Sequence, residues 1–115
     1  MIQQILDIEE KQSIARYILE QLPEWFGIEE ARNEYIIESK DQVFFAAFID
    51  EEPIGFLCLK ETGKDTVEIA VMALLKAYHH QGIGTKLFHH AKAFAQQAHY
   101  SFMQVKTVKE GCYSI

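Results

Sequence analysis

The sequence predicts a mixed α/β fold (α+β) in one domain spanning residues 1–115, with two helices ahead of a central mixed sheet. Three observations predict this class. Apolar residues recur at helical spacing near the N-terminus. Several short apolar runs then follow, separated by turn-forming residues. The last helical segment lies between two strand-like runs, which is the pattern of a right-handed crossover that joins parallel strands.

Two helices are predicted before the first long strand. The segment EEKQSIARYILEQL has apolar residues four apart from Ile14 to Leu22, and Pro23 is expected to end this helix. The segment GIEEARNEYIIESK predicts the second helix, with Ile28 and Tyr35 on its apolar face. Both helices are therefore expected to pack one face against the sheet.

Short apolar runs predict the strands of the sheet. VFFAAFID (43–50) and IGFLCLK (54–60) are separated by the turn-like EEP and are expected to pair antiparallel. TVEIAVMALL (66–75) is almost wholly apolar and is expected to be buried on both faces. A helix over 82–98 and a strand over 102–108 follow. The N-terminal segment IQQIL is a weaker candidate for a further strand.

Composition and charge exclude several classes of protein. The formal net charge of −6 argues against general nucleic-acid binding, which requires a basic surface. No apolar stretch reaches the roughly 20 residues that span a bilayer, and the acidic N-terminus does not have the features of a signal peptide. We therefore expect a cytoplasmic protein with no nucleic-acid or membrane partner. The five histidines form no HExxH motif and Cys58 and Cys112 no ligand pattern, so no metal is expected.

The acidic residues are concentrated in the first part of the chain. Sixteen of the seventeen precede Ile69, and no carboxylate lies between Ile69 and Lys109. Basic residues inside that window include Lys76, His79, His80, Lys86, His89, His90 and Lys92. This distribution favours an anion site in the second half of the chain. A lysine-rich helix face with no ligand explains it about equally well.

The segment YHHQGIGTKLFHHA (78–91) places two glycines at the start of the predicted helix. Gly82 and Gly84 permit unusual backbone torsions and let an anion approach the free N–H groups of a helix start. A dinucleotide-binding GxGxxG motif needs a small residue where Leu87 stands, and a P-loop needs GxxxxGK before Ser or Thr. Neither motif matches, and the glycines alone are also compatible with a tight strand-to-helix turn.

The longer segment VMALLKAYHHQGIGTKLFHHA resembles the GNAT superfamily of acyl-CoA-dependent N-acetyltransferases. In that family an L-x-V-x-P-x-Y-like strand end precedes Gln or Arg, two residues, Gly, any residue, and Gly or Ala. Met72, Leu74 and Tyr78 match the L, V and Y positions. His79 replaces the Gln or Arg, and Lys76 replaces the usual proline. The family continues past the last strand with a helix and further strands, so the resemblance implies a C-terminally short domain.

The resemblance implies acetyl-CoA as co-substrate and a primary amine, small or peptidyl, as the acceptor that attacks directly. The pantetheine arm would lie between 66–75 and 102–108, where the two strands splay apart. An N–H near Leu74 would polarise the acetyl carbonyl, and amides from His79 to Thr85 would bind the diphosphate. The cofactor-binding residues carried over from the motif are Met72, Ala73, Leu74, His79, His80, Gln81, Gly82, Ile83, Gly84, Thr85 and Lys86.

Glu68 is the candidate catalytic base. An alkyl ammonium has a pKa of about 10.4, so the acceptor must lose a proton to a base, directly or through water. Glu68 lies eleven residues before His79, where some members of the family that this chain resembles carry their catalytic glutamate. A solvent-exposed acid at a strand end is an equally good interpretation.

Other functions remain open on the sequence. One is a catalytically impaired CoA-binding or interaction module that lacks the C-terminal half of the acceptor site, and another is a truncated remnant that persists by pairing. An uncovered strand edge and apolar surface would be relieved by a partner, so we expect a homodimer. Acidic residues such as Glu24 beside Trp25 would suit a cationic amine, although acids at helix starts also serve as caps.

Overall fold

The computed structural model describes residues 1–105, with the backbone alone for Val105. The fold is the mixed α/β class that the sequence predicts. Its helices and strands, in chain order, are β1 (Ile2–Ile5), α1 (Ile8–Leu19), α2 (Pro23–Phe26), α3 (Glu29–Glu38), β2 (Val43–Ile49), β3 (Glu52–Gly63), β4 (Thr66–Leu74), α4 (Ile83–Gln97) and β5 (Phe102–Val105). Single turns of 3-10 helix lie at Ser39–Asp41 and Lys76–Tyr78.

The strands form one five-stranded sheet in the order β1-β2-β3-β4-β5. The first four strands pair antiparallel, and β5 runs parallel to β4, with Thr66 opposite Phe102 and Ile69 opposite Val105. The predicted crossover through α4 is thus confirmed, as is the weaker candidate strand at the N-terminus. The part of the predicted 102–108 strand beyond Val105 lies outside the described residues.

Helices cover both faces of this sheet and divide the core into two layers. On one face, α1 and α3 bury their apolar side chains against the sheet, where the rings of Phe44 and Phe56 stack at 5.1 Å. On the other face, α4 buries a stripe at helical spacing, from Ile83 and Leu87 to Ala95. The two layers hold β4 between them and fix the position of its C-terminal end.

A bulge in β4 explains an incorrect expectation about its burial. Cα partners change from Leu59 with Ile69 to Cys58 with Val71, so Ala70 is an extra residue on β4. Ile69 therefore packs on the α4 side, whereas Val71 packs on the α1 side. The strand is not buried on both faces throughout as predicted. Side chains alternate between buried and partly exposed, and Met72 is 41% exposed because neither helical layer covers it.

The boundaries of the N-terminal helices also differ from the prediction. α1 ends at Leu19, and Pro23 begins α2 instead of ending α1, because a proline at the first helical position loses no hydrogen bond. Ile28 precedes the first turn of α3 and is 72% exposed, so it is not on a buried face. Ile36 is the residue that anchors α3 in the core.

Candidate functional site

The turn between β4 and α4 presents a run of free backbone N–H groups. Before it, the amides of Tyr78 and His79 donate to Leu75 O and Lys76 O, and after it Lys86 N–H donates to Gly82 O at 3.1 Å. Between these, the six N–H groups of residues 80–85 donate to no atom within residues 1–105. Three of them belong to the first turn of α4, where the helix itself offers no acceptor.

Left-handed residues curve this turn into a concave surface. His80 has φ 63° and Gly82 has φ 82°. A Cβ on Gly82 would meet no atom within 4 Å, so glycine is needed there for its torsion angle and not for space. Successive N–H groups in such a turn form an anion-binding concavity, and the N-terminal end of the 15-residue α4 adds a positive dipole. We call residues 80–85 the amide nest.

The edge of β4 leads directly from the amide nest. Leu75 donates its N–H to Ile54 O of β3 at 2.9 Å. Because successive residues in a strand direct their peptide groups to opposite edges, Met72 and Leu74 direct theirs away from β3. Within the described residues β5 pairs with β4 only as far as Ile69. Peptide groups at these two positions thus lie along an edge that an extended, amide-containing ligand can use.

A cluster from α2 lies against the start of the turn. The ring of Trp25 meets His79 edge-on, with 5.6 Å between centroids. The ammonium of Lys76 lies 5.9 Å from the Trp25 centroid and is ion-paired with Glu24. The hydrogen bond from Lys76 lowers the pKa of the Glu24 carboxyl below its ordinary value. His79 makes a second contact in the plane of its ring, where its Nε2 lies 2.8 Å from Leu74 O.

Sequence reasoning missed this cluster as a unit. In the sequence, Lys76 stands out as a basic residue of the carboxylate-free window and as a departure from a proline position, and Glu24 as one of several acids around Trp25. The two residues that form the ion pair are 52 positions apart, so no local pattern could connect them. The signal that was present is that an unexpected lysine and an isolated tryptophan both fall next to predicted turns.

The remaining predicted cofactor residues differ in burial and in side-chain contacts. Ala73 and Ile83 are buried and hold β4 and α4 in the core, so only their backbones can serve a ligand. Gln81 donates its side-chain amide to Ala77 O at 3.0 Å. Thr85 and Lys86 are exposed on the first turn of α4 and line an open cavity together with His89 and His90. Lys86 is therefore free to approach a phosphate outside the nest.

Glu68 lies on β4 at a distance from the nest. Its Cα partners are Lys60 on β3 and Gln104 on β5, and its side chain is half-buried. It alternates with Val67 and Ile69, which face α4, so it points to the α1 side of the sheet. Met72 lies four positions further along the strand, a rise of about 13 Å. Its carboxylate meets no hydrogen-bond or ion-pair partner among residues 1–104.

In the part of the chain that the structure describes, no helix is both long and apolar enough to cross a membrane. Over the same residues, no three His, Cys, Asp or Glu side chains are grouped so that they could hold a metal ion.

A strand that ends in an amide nest at a helix start, within a mixed sheet, is an arrangement that can bind an anion such as a phosphate group. The family model described as "Acetyltransferase (GNAT) family" matches residues 3–115. The chain therefore belongs to the GNAT acetyltransferase family, as its resemblance in sequence implied. A search of the curated proteins finds no match.

Solved structures share this fold. An IAA acetyltransferase from Bacillus cereus ATCC 14579 superposes with a TM-score of 0.72 at 26% identity. The match covers 93% of this chain and 65% of that one. The PaiA N-acetyltransferase from Thermoplasma acidophilum, solved in complex with coenzyme A, superposes with a TM-score of 0.72 at 21% identity, covering 96% of this chain and 82% of that one. This chain thus spans about two thirds of the length of the Bacillus cereus enzyme.

Proposed function

We propose that this protein is an N-acetyltransferase that moves the acetyl group of acetyl-CoA to a primary amine by direct attack. The observation that carries the proposal is the amide nest, six consecutive N–H groups before and within the first turn of α4 that donate to no atom among the described residues 1–105, beside an available edge of β4. A diphosphate is a doubly charged anion that such a nest binds well. Membership of the acetyltransferase family supports the same assignment.

In this proposal, acetyl-CoA lies along β4 with its diphosphate in the nest. The pantetheine arm has two amide groups, which can pair with the edge-facing peptide groups of Met72 and Leu74 as an additional strand would. The exposed position of Lys86 supports a contact with a phosphate. A cofactor placed in this way brings its thioester to the C-terminal half of β4.

The chemistry needs a neutral amine and a stabilised oxyanion. The amine nitrogen attacks the carbonyl carbon, the C–S bond breaks, and the thiolate of CoA leaves and takes up a proton. A β4 N–H near Leu74 donates to the oxygen that becomes negative. We assign removal of the ammonium proton to Glu68 through water, because about 13 Å of strand from Met72 is too far for direct contact.

The acceptor is proposed to be cationic in its resting form. Glu24 is exposed, its carboxyl pKa is lowered by Lys76, and it lies beside the exposed Trp25 next to the turn. A carboxylate and an aromatic ring together attract an ammonium group. In this structure both groups engage the ammonium of Lys76, so an acceptor ammonium would have to displace it. Membership of the acetyltransferase family is the further support for an amine, small or peptidyl, as the acceptor.

The experiment combines binding and turnover. Calorimetry with coenzyme A should show binding to the wild-type protein, and Gly84→Trp should abolish it, because a side chain at residue 84 would collide with Leu74 and displace the first turn of α4 that carries part of the nest. The matched control is Gly63→Trp, whose Cβ lies in the β3–β4 hairpin with Thr66 Cβ as its nearest neighbour at 3.9 Å, and which should bind normally. Equal binding by wild type and Gly84→Trp would refute the nest as the site.

Turnover separates the enzyme from a CoA-binding module without activity. The enzyme should release free thiol from acetyl-CoA when a panel of primary amines is added, and the module should not. The inactive CoA-binding module is tested as a second candidate because the match covers 65% of the Bacillus cereus enzyme. Binding without thiol release for any amine would favour the module.

We also propose that the protein forms a homodimer. Phe102 on β5 is 51% exposed, and apolar side chains of this size on a strand favour association. Sedimentation equilibrium of the full chain should give twice the mass of 13.3 kDa. A stable monomer at high concentration would contradict this proposal.

A further inference from the structure

We propose that His79 competes with coenzyme A for the edge of β4, so that the cofactor must displace the imidazole from Leu74 before its pantetheine arm can pair with the strand. The proposal rests on the proposed function, because it assumes that coenzyme A uses this edge. It assigns to His79 a role opposite to that of a cofactor ligand. In this role His79 lowers the affinity for the cofactor, and that affinity depends on the position of α2.

The first observation is the contact between the ring and the strand. Nε2 of His79 lies 2.8 Å from Leu74 O. A carbonyl oxygen only accepts, so Nε2 carries a proton and donates it. The imidazole is therefore held at this oxygen by a hydrogen bond of normal length.

The second observation is where Leu74 O points. Leu75 N–H is bonded to Ile54 O on β3, so Leu74 directs its peptide groups to the opposite edge. Between the bulge at Ala70 and the turn, Met72 and Leu74 are the two β4 residues that do so. A ligand that adds to this edge as a strand needs their carbonyls as acceptors. His79 occupies one of the two.

The third observation is how the imidazole is supported. Trp25 contacts it edge-on at 5.6 Å, and Lys76 holds Trp25 in turn, with its ammonium 5.9 Å from the ring centroid and ion-paired with Glu24. Since Trp25 and Glu24 belong to α2, the ring is held between β4 and α2. Displacing the imidazole must change the surroundings of Trp25, which connects cofactor binding to α2.

The direction in which a His79 substitution changes the affinity for coenzyme A distinguishes a competitor from a ligand. Removing a competitor raises the affinity, and removing a ligand lowers it. If His79 competes, His79→Ala should bind coenzyme A about 2- to 10-fold more tightly, which corresponds to losing one ordinary hydrogen bond that the cofactor must break. His79→Phe keeps an aromatic ring beside Trp25 but cannot donate, and it should also bind more tightly than wild type. Gln97→Ala, at the exposed last turn of α4 and far from the nest, is the control and should leave the affinity unchanged.

The outcomes separate this inference from the proposed function. If wild type binds no coenzyme A, the proposed function fails. If wild type binds and both His79 variants bind equally or more weakly, only the competition is refuted, since a cofactor ligand or a purely structural residue would give those results. Circular dichroism checks that each variant folds, and either folded variant alone is sufficient for the test.

A second readout follows the displacement itself. Trp25 is the single tryptophan of the chain, so its fluorescence reports on the contact with His79. Titration of wild type with coenzyme A should change the emission of Trp25 in parallel with binding, and the change should be largely lost in His79→Ala. A wild-type emission that stays constant through saturation, as measured by calorimetry on the same sample, would overturn the proposal.

Discussion

Gly84 and Leu74 are in direct contact across the turn: a Cβ on Gly84 would lie 3.3 Å from Cδ1 of Leu74. The first turn of α4 is thus packed on the side chain that ends β4. The other branch of Leu74 lies against Gly55 on β3, where a Cβ would overlap Cδ2 of Leu74 and come within 3.0 Å of Ala73 O. Two glycines therefore fix the amide nest relative to the edge of β4.

The first prediction concerns Gly55. Gly55→Val should lower the free energy of unfolding by about 1–3 kcal/mol, because the added methyl groups overlap both a side chain and a backbone oxygen. Urea denaturation measures this change. Gly63→Val, in the same strand but with its nearest contact at 3.9 Å, is the control and should change stability much less. Similar losses for the two variants would show that the close contact at Gly55 is not the cause.

The second prediction concerns the left-handed torsion at Gly82. Gly82→Ala should cost about 1–2 kcal/mol of stability, because an L-residue is strained at φ 82° although there is free space for its Cβ. The same strain should weaken binding of coenzyme A by distorting the nest. Thermal denaturation with and without coenzyme A measures both effects. Unchanged stability and affinity would indicate that the turn adapts without its glycine.

The third prediction concerns the proposed base. Glu68→Gln should lower kcat about 100-fold and remove the acidic limb of the pH–rate profile, because the amide cannot accept the ammonium proton. Calorimetric affinity for coenzyme A should stay the same, since Glu68 lies about 13 Å of strand from Met72. Glu38→Gln, at the exposed end of α3, is the control. A pH–rate profile equal to that of wild type would remove Glu68 from the mechanism.

The fourth prediction concerns the buried thiol of Cys58. Burial raises the pKa of this thiol far above its ordinary value of 9.0, and the positive charge of Lys11 opposes the rise only weakly. The unfolded chain therefore loses this proton above pH 9 while the folded chain keeps it, so stability declines as the pH rises past that value. Urea midpoints between pH 8 and 10 in a Cys112→Ser background should fall more than those of a Cys58→Ala, Cys112→Ser variant.

The fifth prediction concerns a buried lysine. Lys11 is 8% exposed, and its ammonium donates to Gln42 O at 2.7 Å and to Lys40 O at 3.3 Å, which secures the segment between α3 and β2. Lys11→Met should cost about 1–3 kcal/mol, because the buried carbonyl of Gln42 loses its donor. Lys64→Met on an exposed turn should be nearly neutral. A near-neutral Lys11→Met would mean that water replaces the ammonium.

Much of the fold followed from local patterns in the sequence. Helix α4 was expected over 82–98 and is found at Ile83–Gln97, because its apolar stripe and its glycine start are both local signals. The errors occurred where packing overrides such patterns. Pro23 was expected to end a helix and instead begins one, and the run from 66 to 75 was expected to be buried on both faces although Met72 is exposed.

The sequence predicted which segment forms the candidate site, but it did not predict how the side chains of that segment contact the rest of the protein. The spacing of Gly82 and Gly84 identified the turn, and its free N–H groups follow from any strand that enters a helix through such residues. The bonding of His79 to Leu74 O could not be read from the spacing, because a side chain five residues away has many orientations open to it until α2 limits them.

By itself the sequence determined the order of the elements apart from the short helix α2, and also the turn and the family, because periodicity, glycine torsions and a motif are properties of neighbouring residues. Only the tertiary structure decided that Ala70 is an extra residue that turns the rest of β4 to the other face, and that Glu24 pairs with Lys76. Those features depend on strand register and on packing between segments up to 52 residues apart. Such contacts form only when the whole core closes, and they leave no local pattern along the chain.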